Sequence, residues 1–370
     1  MRSYKLRLDN LFILVQNDIG TDRSDPFGRE SGMDEFKDLS NGLDIVISGY
    51  DTNGEDTVIG YRFDMEGNTQ KLWQTNIEQA SFVCRWDEFL FTVTESDDYC
   101  IVYLLKRWNG RYSLMDQRKL EGGALCHITY SPKHHTLYGA CYGTGTIFGI
   151  IVEEDHFGEV IFHEIQRTPG KGELTRAHCV LLHAKENRLL TVNIALDEII
   201  DYELQEGTPI FLERLDLPEG VGPRHAVFSE DETRLYVITE YSNEIFVFQT
   251  GENRLLQRIS TLPTHYQGIS NGSTLCISGS GEFLYAANRG ADTVTQFRID
   301  SKGELEWIMD YPCGGKHPRH MLLTKENEML IICNLFSNNV VAFQIDEISG
   351  ELRNKVFDLN FNSPSGIVQL

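Results

Sequence analysis

Apolar and polar positions alternate with a period of two along most of this chain. The runs are five to eight residues long and are broken by polar or Gly-containing turns. β-Branched and aromatic residues fill the runs and helical periodicity is weak, so the elements predicted are strands. One pattern recurs: two apolar residues, a few small or β-branched residues, then a polar position and often Gly. It stands in DIVISGYD, FLFTVTES, TLYGACYG, RLLTVNIA, RLYVITEY, FLYAANRG and MLIICNLF. Its anchors are Ile45, Leu90, Leu137, Leu189, Leu235, Leu284 and Leu330, spaced by 45, 47, 52, 46, 49 and 46 residues. A repeat in the mid-forties with this strand chemistry is the signature of a four-stranded β-propeller blade.

Each anchor has similar neighbours. A strand-like run ending in a polar turn precedes it, as in RHAVFSEDET, and an alternating run such as EIFVFQT follows, then a more variable fourth run. The four are named A to D from the axis outward, with the anchor in B. Six A strands precede the second to seventh anchors, and the first anchor lacks one. SPSGIVQL, Ser363 to Leu370, reads as the missing strand. Its addition to the first blade closes the ring and removes an open edge. The fold predicted is therefore all-β: a seven-bladed propeller over 44–370, closed by the C-terminal strand. Residues 1–43 carry strand-like YKLRL and LFILVQ, then a polar, Gly-rich stretch, and are expected to form an extension with a flexible loop.

Antiparallel pairing puts the start of A and the end of B on one face, and A is innermost. A starts and B ends from all blades therefore crowd the mouth of the central channel, where pockets form over a rigid scaffold. The A starts carry His127, Arg176 with His178, Arg224 with His225, and Arg319 with His320; the B ends carry Tyr50, Glu95, Tyr142, Glu240, Asn288 and Arg289. Charge sharpens this picture. The chain has 33 basic and 55 acidic residues, a net charge of −22. Such a chain repels phosphate backbones and anionic membranes, which argues against nucleic-acid or membrane partners. A cluster of Arg and His on an acidic protein points to a small anionic ligand. An arginine at an A start can equally stitch a blade to the carboxylate ending its own B strand, as Arg224 and Glu240 are placed to do; the ensemble favours function. Glu240 is the best base candidate. Glu95 ranks below it, because Ser81 stands at its own A start.

Other features change little. His134, His135 and His183 fall near A–B turns on the opposite face and are expected in solvent. Gly143-Thr144-Gly145 is a strand turn, no Ser sits in a nucleophile elbow, and no spacing specifies a metal. The four tryptophans are read mostly as blade packing. Eight cysteines without a C-x-x-C pair read as free thiols in a reducing, cytoplasmic compartment. No apolar run is long enough to span a bilayer.

Several segments resemble the lactonase family of seven-bladed propellers, which includes 6-phosphogluconolactonases and fungal carboxymuconate lactonizing enzymes. They are GPRHAVFSEDETRLYVITEYSNEIFVF, GEFLYAANRGADTVTQFRID, GGKHPRHMLLTKENEMLIICNLFSNNVVAFQID and, more loosely, CHITYSPKHHTLYGACYGTGTI. The resemblance runs from about Asp44 to the C-terminus. It implies hydrolysis of a sugar-acid lactone, 6-phosphogluconolactone first, with no organic cofactor. Its alternatives are lactonization of a carboxylated muconate and a non-catalytic binding scaffold. It assigns catalytic roles to Arg224 of GPRH, Glu240 sixteen residues on, Arg289 of NRG and His178 of AHCV. His127, Tyr142, His225, Asn288, Arg319 and His320 are the expected substrate contacts around them. Arg176 and Asn193 stand where the family usually has His-rich sequence and an Asp. A monomer or weak homo-oligomer is expected.

Overall fold

The structure, a computed structural model, describes residues 42–50, 54, 56–64, 67–324 and 328–370. The expected extension lies almost wholly outside the described residues. The described chain forms seven antiparallel sheets of four strands and no helix. Six sheets run in chain order from the axis outward. The first blade is completed by the C-terminal strand: Pro364–Gln369 lies beside Leu43–Gly49, followed by Val58–Phe63 and Thr69–Thr75. Ile45 pairs with Gln369 and Ile47 with Ile367, and the Leu370 N–H donates to the Asp44 carbonyl at 2.9 Å. The two ends of the propeller chain thus share one sheet, so the inner edge of blade 1 is paired rather than open. All seven anchors fall in B strands.

Burial is greatest in the middle of each blade and least at the rim. Strand B of blade 7, Met329–Asn334, is buried at five of six positions, because neighbouring blades cover both its faces. Strand D of blade 2, Arg111–Leu120, is mostly exposed at the rim. Seven apolar clusters fill the seven junctions between adjacent blades. Phe91 and Leu137 lie in the one between blades 2 and 3, and Ile331 and Ile45 in the one between blades 7 and 1. Truncating such a residue to Ala costs about 2–5 kcal/mol. The tryptophan expectation holds only for Trp73. Trp86, Trp108 and Trp307 are 48%, 76% and 50% exposed. Trp86 and Trp108 end strands at turns and Trp307 sits in a rim D strand, positions left partly open to solvent.

Two repeated devices shape the inner edge. First, the A–B register slips by one residue near the A start. The extra residue is Cys126 in blade 3, His178 in blade 4, Arg224 in blade 5 and Arg319 in blade 7. Such a bulge bends the strand and re-aims side chains, so two successive residues can turn toward one space. Second, an asparagine at the end of B ties the blade to the preceding loop. The Asn193, Asn288 and Asn334 amides donate to Thr175 Oγ1, the Thr261 carbonyl and the Cys313 carbonyl, at 2.8, 2.8 and 3.1 Å.

Candidate active site

Three arginine-centred groups meet at the channel mouth, and between them they draw on every blade. The first joins blades 5 and 6. Arg224 leaves strand A of blade 5, Pro223–Phe228, at the bulge. Its Nε lies 3.1 Å from Glu240 Oε2, and Arg289 Nη2, from strand B of blade 6, lies 2.9 Å from the same oxygen. Both guanidinium groups are anchored behind: Arg224 Nη1 donates to the Ser273 carbonyl at 2.6 Å and Arg289 Nη2 to the Gly272 carbonyl at 2.8 Å. Glu240 itself is fixed through its backbone N–H, which donates to the Gly222 carbonyl at 2.6 Å. Among the described residues Glu240 Oε1 accepts no hydrogen bond, and the side chain keeps 16% of its surface exposed. One oxygen is held and the other faces the opening.

The second group spans blades 7, 1 and 2. Arg319 Nη2 lies 3.3 Å from Glu95 Oε2, and the Tyr50 hydroxyl donates to that same oxygen at 2.6 Å. The third spans blades 3, 4 and 5. Arg176 lies over the Tyr142 ring, 4.8 Å from its centre, and Nη1 donates to the Tyr142 hydroxyl at 2.7 Å. The Tyr241 hydroxyl lies 3.5 Å from Nη1. Tyr241 packs on Gly222, whose φ is +64° and where a Cβ would come within 2.6 Å of the ring, so this turn requires glycine.

Imidazoles join the groups. His225 touches Arg224, Thr274 and the rings of His127 and His178, and His178 stands edge-on to Tyr142. His127 and His320 flank Phe82 at ring distances of 4.4 and 5.2 Å. These histidines are neutral. Arg224 can only donate to His225 Nε2, which leaves the proton on Nδ1, facing Thr274. Burial, followed by the nearby arginines, pushes His178 and His225 well below the ordinary imidazole range. Burial first, then the charges of His320 and Arg224, lowers His127 to about 3; burial with Arg224 and Arg319 lowers His320 to about 4. For Glu240, burial pushes the carboxyl up. Arg224 and Arg289 outweigh it and hold the group below its usual range, hence ionised. Burial, aided by Glu95, pushes the Tyr50 phenol far up, so it remains a donor.

Glu240, Arg224, Arg289, His178, His225, Tyr142 and Arg319 are therefore brought to one mouth, with His127 and His320 beneath. Asn288 is not among them. It is fully buried, and its amide is spent on Thr261, Thr293 and Thr295. The expectation that His183 lies in solvent is overturned. Its ring packs at a tilt against Phe228 with centres 4.4 Å apart, its Nδ1 is 3.6 Å from Glu232, and 12% of its side chain is exposed. Blade 5 covers the A–B turn of blade 4. Glu95, Tyr50 and Arg176 stood at mouth positions in the sequence without being chosen; their partners lie on other blades. Tyr241 carries no sequence signal beyond its place after Glu240. Among the described residues no cluster of His, Cys, Asp and Glu is arranged to hold a metal, and no helix is long and apolar enough to cross a membrane.

Comparison with known proteins agrees with this architecture. A family model described as lactonase, 7-bladed β-propeller, matches residues 44–369. The 6-phosphogluconolactonase of Bacillus subtilis is 24% identical over 322 residues, covering 83% of this chain and 92% of that one. Among solved structures, a periplasmic gluconolactonase of Pseudomonas aeruginosa superposes with a TM-score of 0.82 at 22% identity, covering 89% of this chain and 99% of that one. A protein from Lactobacillus plantarum does so with a TM-score of 0.80 at 20% identity, covering 89% and 100%. Seven closed blades, and a family match that spans them all, establish that the chain belongs to the lactonase family of seven-bladed β-propellers.

Proposed function

We propose that this protein opens the ring of a sugar-acid lactone by adding water to its ester carbonyl, with 6-phosphogluconolactone as substrate. The observation that carries this reading is the divided carboxylate of Glu240. One oxygen is gripped by two arginines and the other is open at the mouth. In such a site the ionised Oε1 accepts a proton from water as the water oxygen bonds to the carbonyl carbon. Arg224 and Arg289 face the negative charge that grows on the carbonyl oxygen, a stabilisation strengthened by their burial. Collapse of the tetrahedral intermediate breaks the ring C–O bond. The departing oxygen takes up the proton held by Glu240, and the product is the open hydroxy acid. His178, buried and neutral, serves as a polarising donor rather than as an imidazolium acid. Support for the phosphorylated substrate comes from the named relative and from the excess of cations at the mouth. A cytoplasmic location is proposed on the eight free thiols.

The test is lactone opening by purified protein and by Glu240→Gln and Arg224→Ala. Loss of most of the rate in both is expected; unchanged rates reject these roles. The same arginines would also suit a carboxylated muconate, and a parallel assay with that substrate separates hydrolysis from lactonization.

A further inference from the structure

The four arginines of the mouth are not equivalent. Arg224 and Arg289 are both bonded to Glu240, and Arg319 to Glu95. Arg176 has no carboxylate partner among the described residues. Its protein contacts fall on one side: the backbone N–H donates to Asn193 Oδ1 at 3.0 Å, and Nη1 serves the hydroxyls of Tyr142 and Tyr241. The Nε and Nη2 groups, the edge with which a guanidinium forks onto an oxyanion, carry no partner among the described residues. At two other arginines that edge is filled by a carboxylate, whereas at Arg289 only the Nη2 half of it is bonded. Arg62 grips Asp44 through Nε and Nη2 at 2.6 and 2.7 Å, and Arg258 grips Glu244 at 2.7 and 2.7 Å. Charge at the mouth points the same way. Arg176, Arg224, Arg289 and Arg319 face Glu95 and Glu240, an excess of two positive charges on a chain of net charge −22.

Arg176 is also held in place. The Tyr142 ring beneath it and the Tyr241 ring beside it fix the plane of the guanidinium, and Tyr241 is seated on Gly222 of the same turn that positions Glu240. The other edge of Tyr142 meets His178, and Tyr142 lies within electrostatic reach of Glu240. The open fork is therefore set to one side of the reacting carboxylate, on the same rim. A ligand that presents its ester to Glu240 and carries an anionic group at its far end would meet both.

Resting on the lactone-opening reading, we infer that Arg176, with the hydroxyls of Tyr142 and Tyr241, is the docking site for the substrate's distal phosphate ester and sets the preference for phosphorylated over unphosphorylated sugar lactones. A guanidinium fork matches a phosphate with two parallel charge-assisted hydrogen bonds, whereas a lysine offers only a point charge.

The experiment compares wild type, Arg176→Gln and Arg176→Lys on 6-phosphogluconolactone and on unphosphorylated gluconolactone. In parallel, calorimetry measures the binding of 6-phosphogluconate and of gluconate. For Arg176→Gln, kcat/KM on the phosphorylated lactone is expected to fall roughly 10- to 100-fold, mainly through KM, against about 3-fold or less on the other. Arg176→Lys is expected to fall between wild type and Arg176→Gln. 6-Phosphogluconate should bind wild type more tightly than gluconate does, and Arg176→Gln should erase that difference. Equal losses on both lactones, or an unchanged preference for the phosphorylated ligand, overturn the assignment. If wild type opens neither lactone, the reading of the reaction falls, and the two binding measurements still decide the role of Arg176.

Discussion

Glu240 and Glu95 end the B strands of two blades, at equivalent places on one mouth, and they are held differently. Glu240 Oε2 takes two arginines, one from its own A strand and one from the next blade. Glu95 Oε2 takes one arginine and a phenol, both from other blades, while Ser81 at its own A start is spent on the Leu125 carbonyl at 3.0 Å. Four imidazoles lie between the two centres: His127, His178, His225 and His320 all feel the charge of Arg224, and His178 and His320 feel that of Arg319 as well. The difference teaches that blade position alone does not make a base. Two buried cations keep Glu240 ionised and supply the charge a developing oxyanion needs, whereas Glu95 is shared between a cation and a neutral donor. Glu240 belongs to the chemistry and Glu95 to the wall of the same opening.

The largest expected effect breaks the comparison on the Glu240 side. Glu240→Gln should lower kcat/KM for lactone opening by about 10²- to 10⁴-fold, the usual worth of a positioned base, and Glu95→Gln by about 10-fold or less. Equal losses in a steady-state assay would erase the distinction between the two centres. Next in size is stability. Arg224 is 2% exposed, and Arg224→Ala removes one of Glu240's two charge partners and leaves the Ser273 carbonyl unpaired. A loss of about 3–5 kcal/mol in urea unfolding is expected, as for other broken buried pairs. Arg319→Ala, at a more exposed pair, should lose less.

Acid should reveal the imidazoles on both sides. The four histidines are neutral when folded because their protonation is depressed, while in the unfolded chain they charge below about pH 6.5. The unfolded state then binds more protons, so stability is flat above that pH and falls as pH drops toward about 4, by up to about 1.4 kcal/mol per pH unit for each histidine. Glu240, whose carboxyl is held low, adds a loss of the same sign below about pH 4.5. Chemical denaturation at pH 7.5, 6.0 and 5.0 measures the slope, and His320→Gln should make it shallower. The smallest effect sharpens the Glu95 side: Tyr50→Phe deletes one hydrogen bond and should cost about 0.5–1.5 kcal/mol of stability with little change in lactone opening.

The blade plan could be read from the chain because its signals are local. Anchors such as Leu235 and Leu284 recur at a strand-bearing period, and Ser363 to Leu370 had only one vacancy to fill. Arg224 with Glu240 was equally accessible, since sixteen residues and one hairpin connect them. Arg319 with Glu95 was not: 224 residues separate the pair, and their blades flank blade 1, where the ring closes. Asn288 misled for the opposite reason. It ends a B strand, yet the backbone there makes it a tie to the preceding loop, a role shared with Asn193 and Asn334.

Strand periodicity, turn chemistry and the count of repeats are written into short windows of this chain, so seven blades and the residues at their inner corners follow from one-dimensional order. Apart from a pair joined by one hairpin, such as Arg224 and Glu240, which corner residue bonds which does not, because it depends on ring curvature and on single-residue bulges that turn His178, Arg224 and Arg319 out of simple alternation. Those bulges, and the contacts across blades, exist only once the circle is closed. The folded molecule alone therefore decides that Glu240 is gripped by one oxygen, that the histidines are dry and neutral, and that Arg176 keeps both Nε and Nη2 without a partner among the described residues.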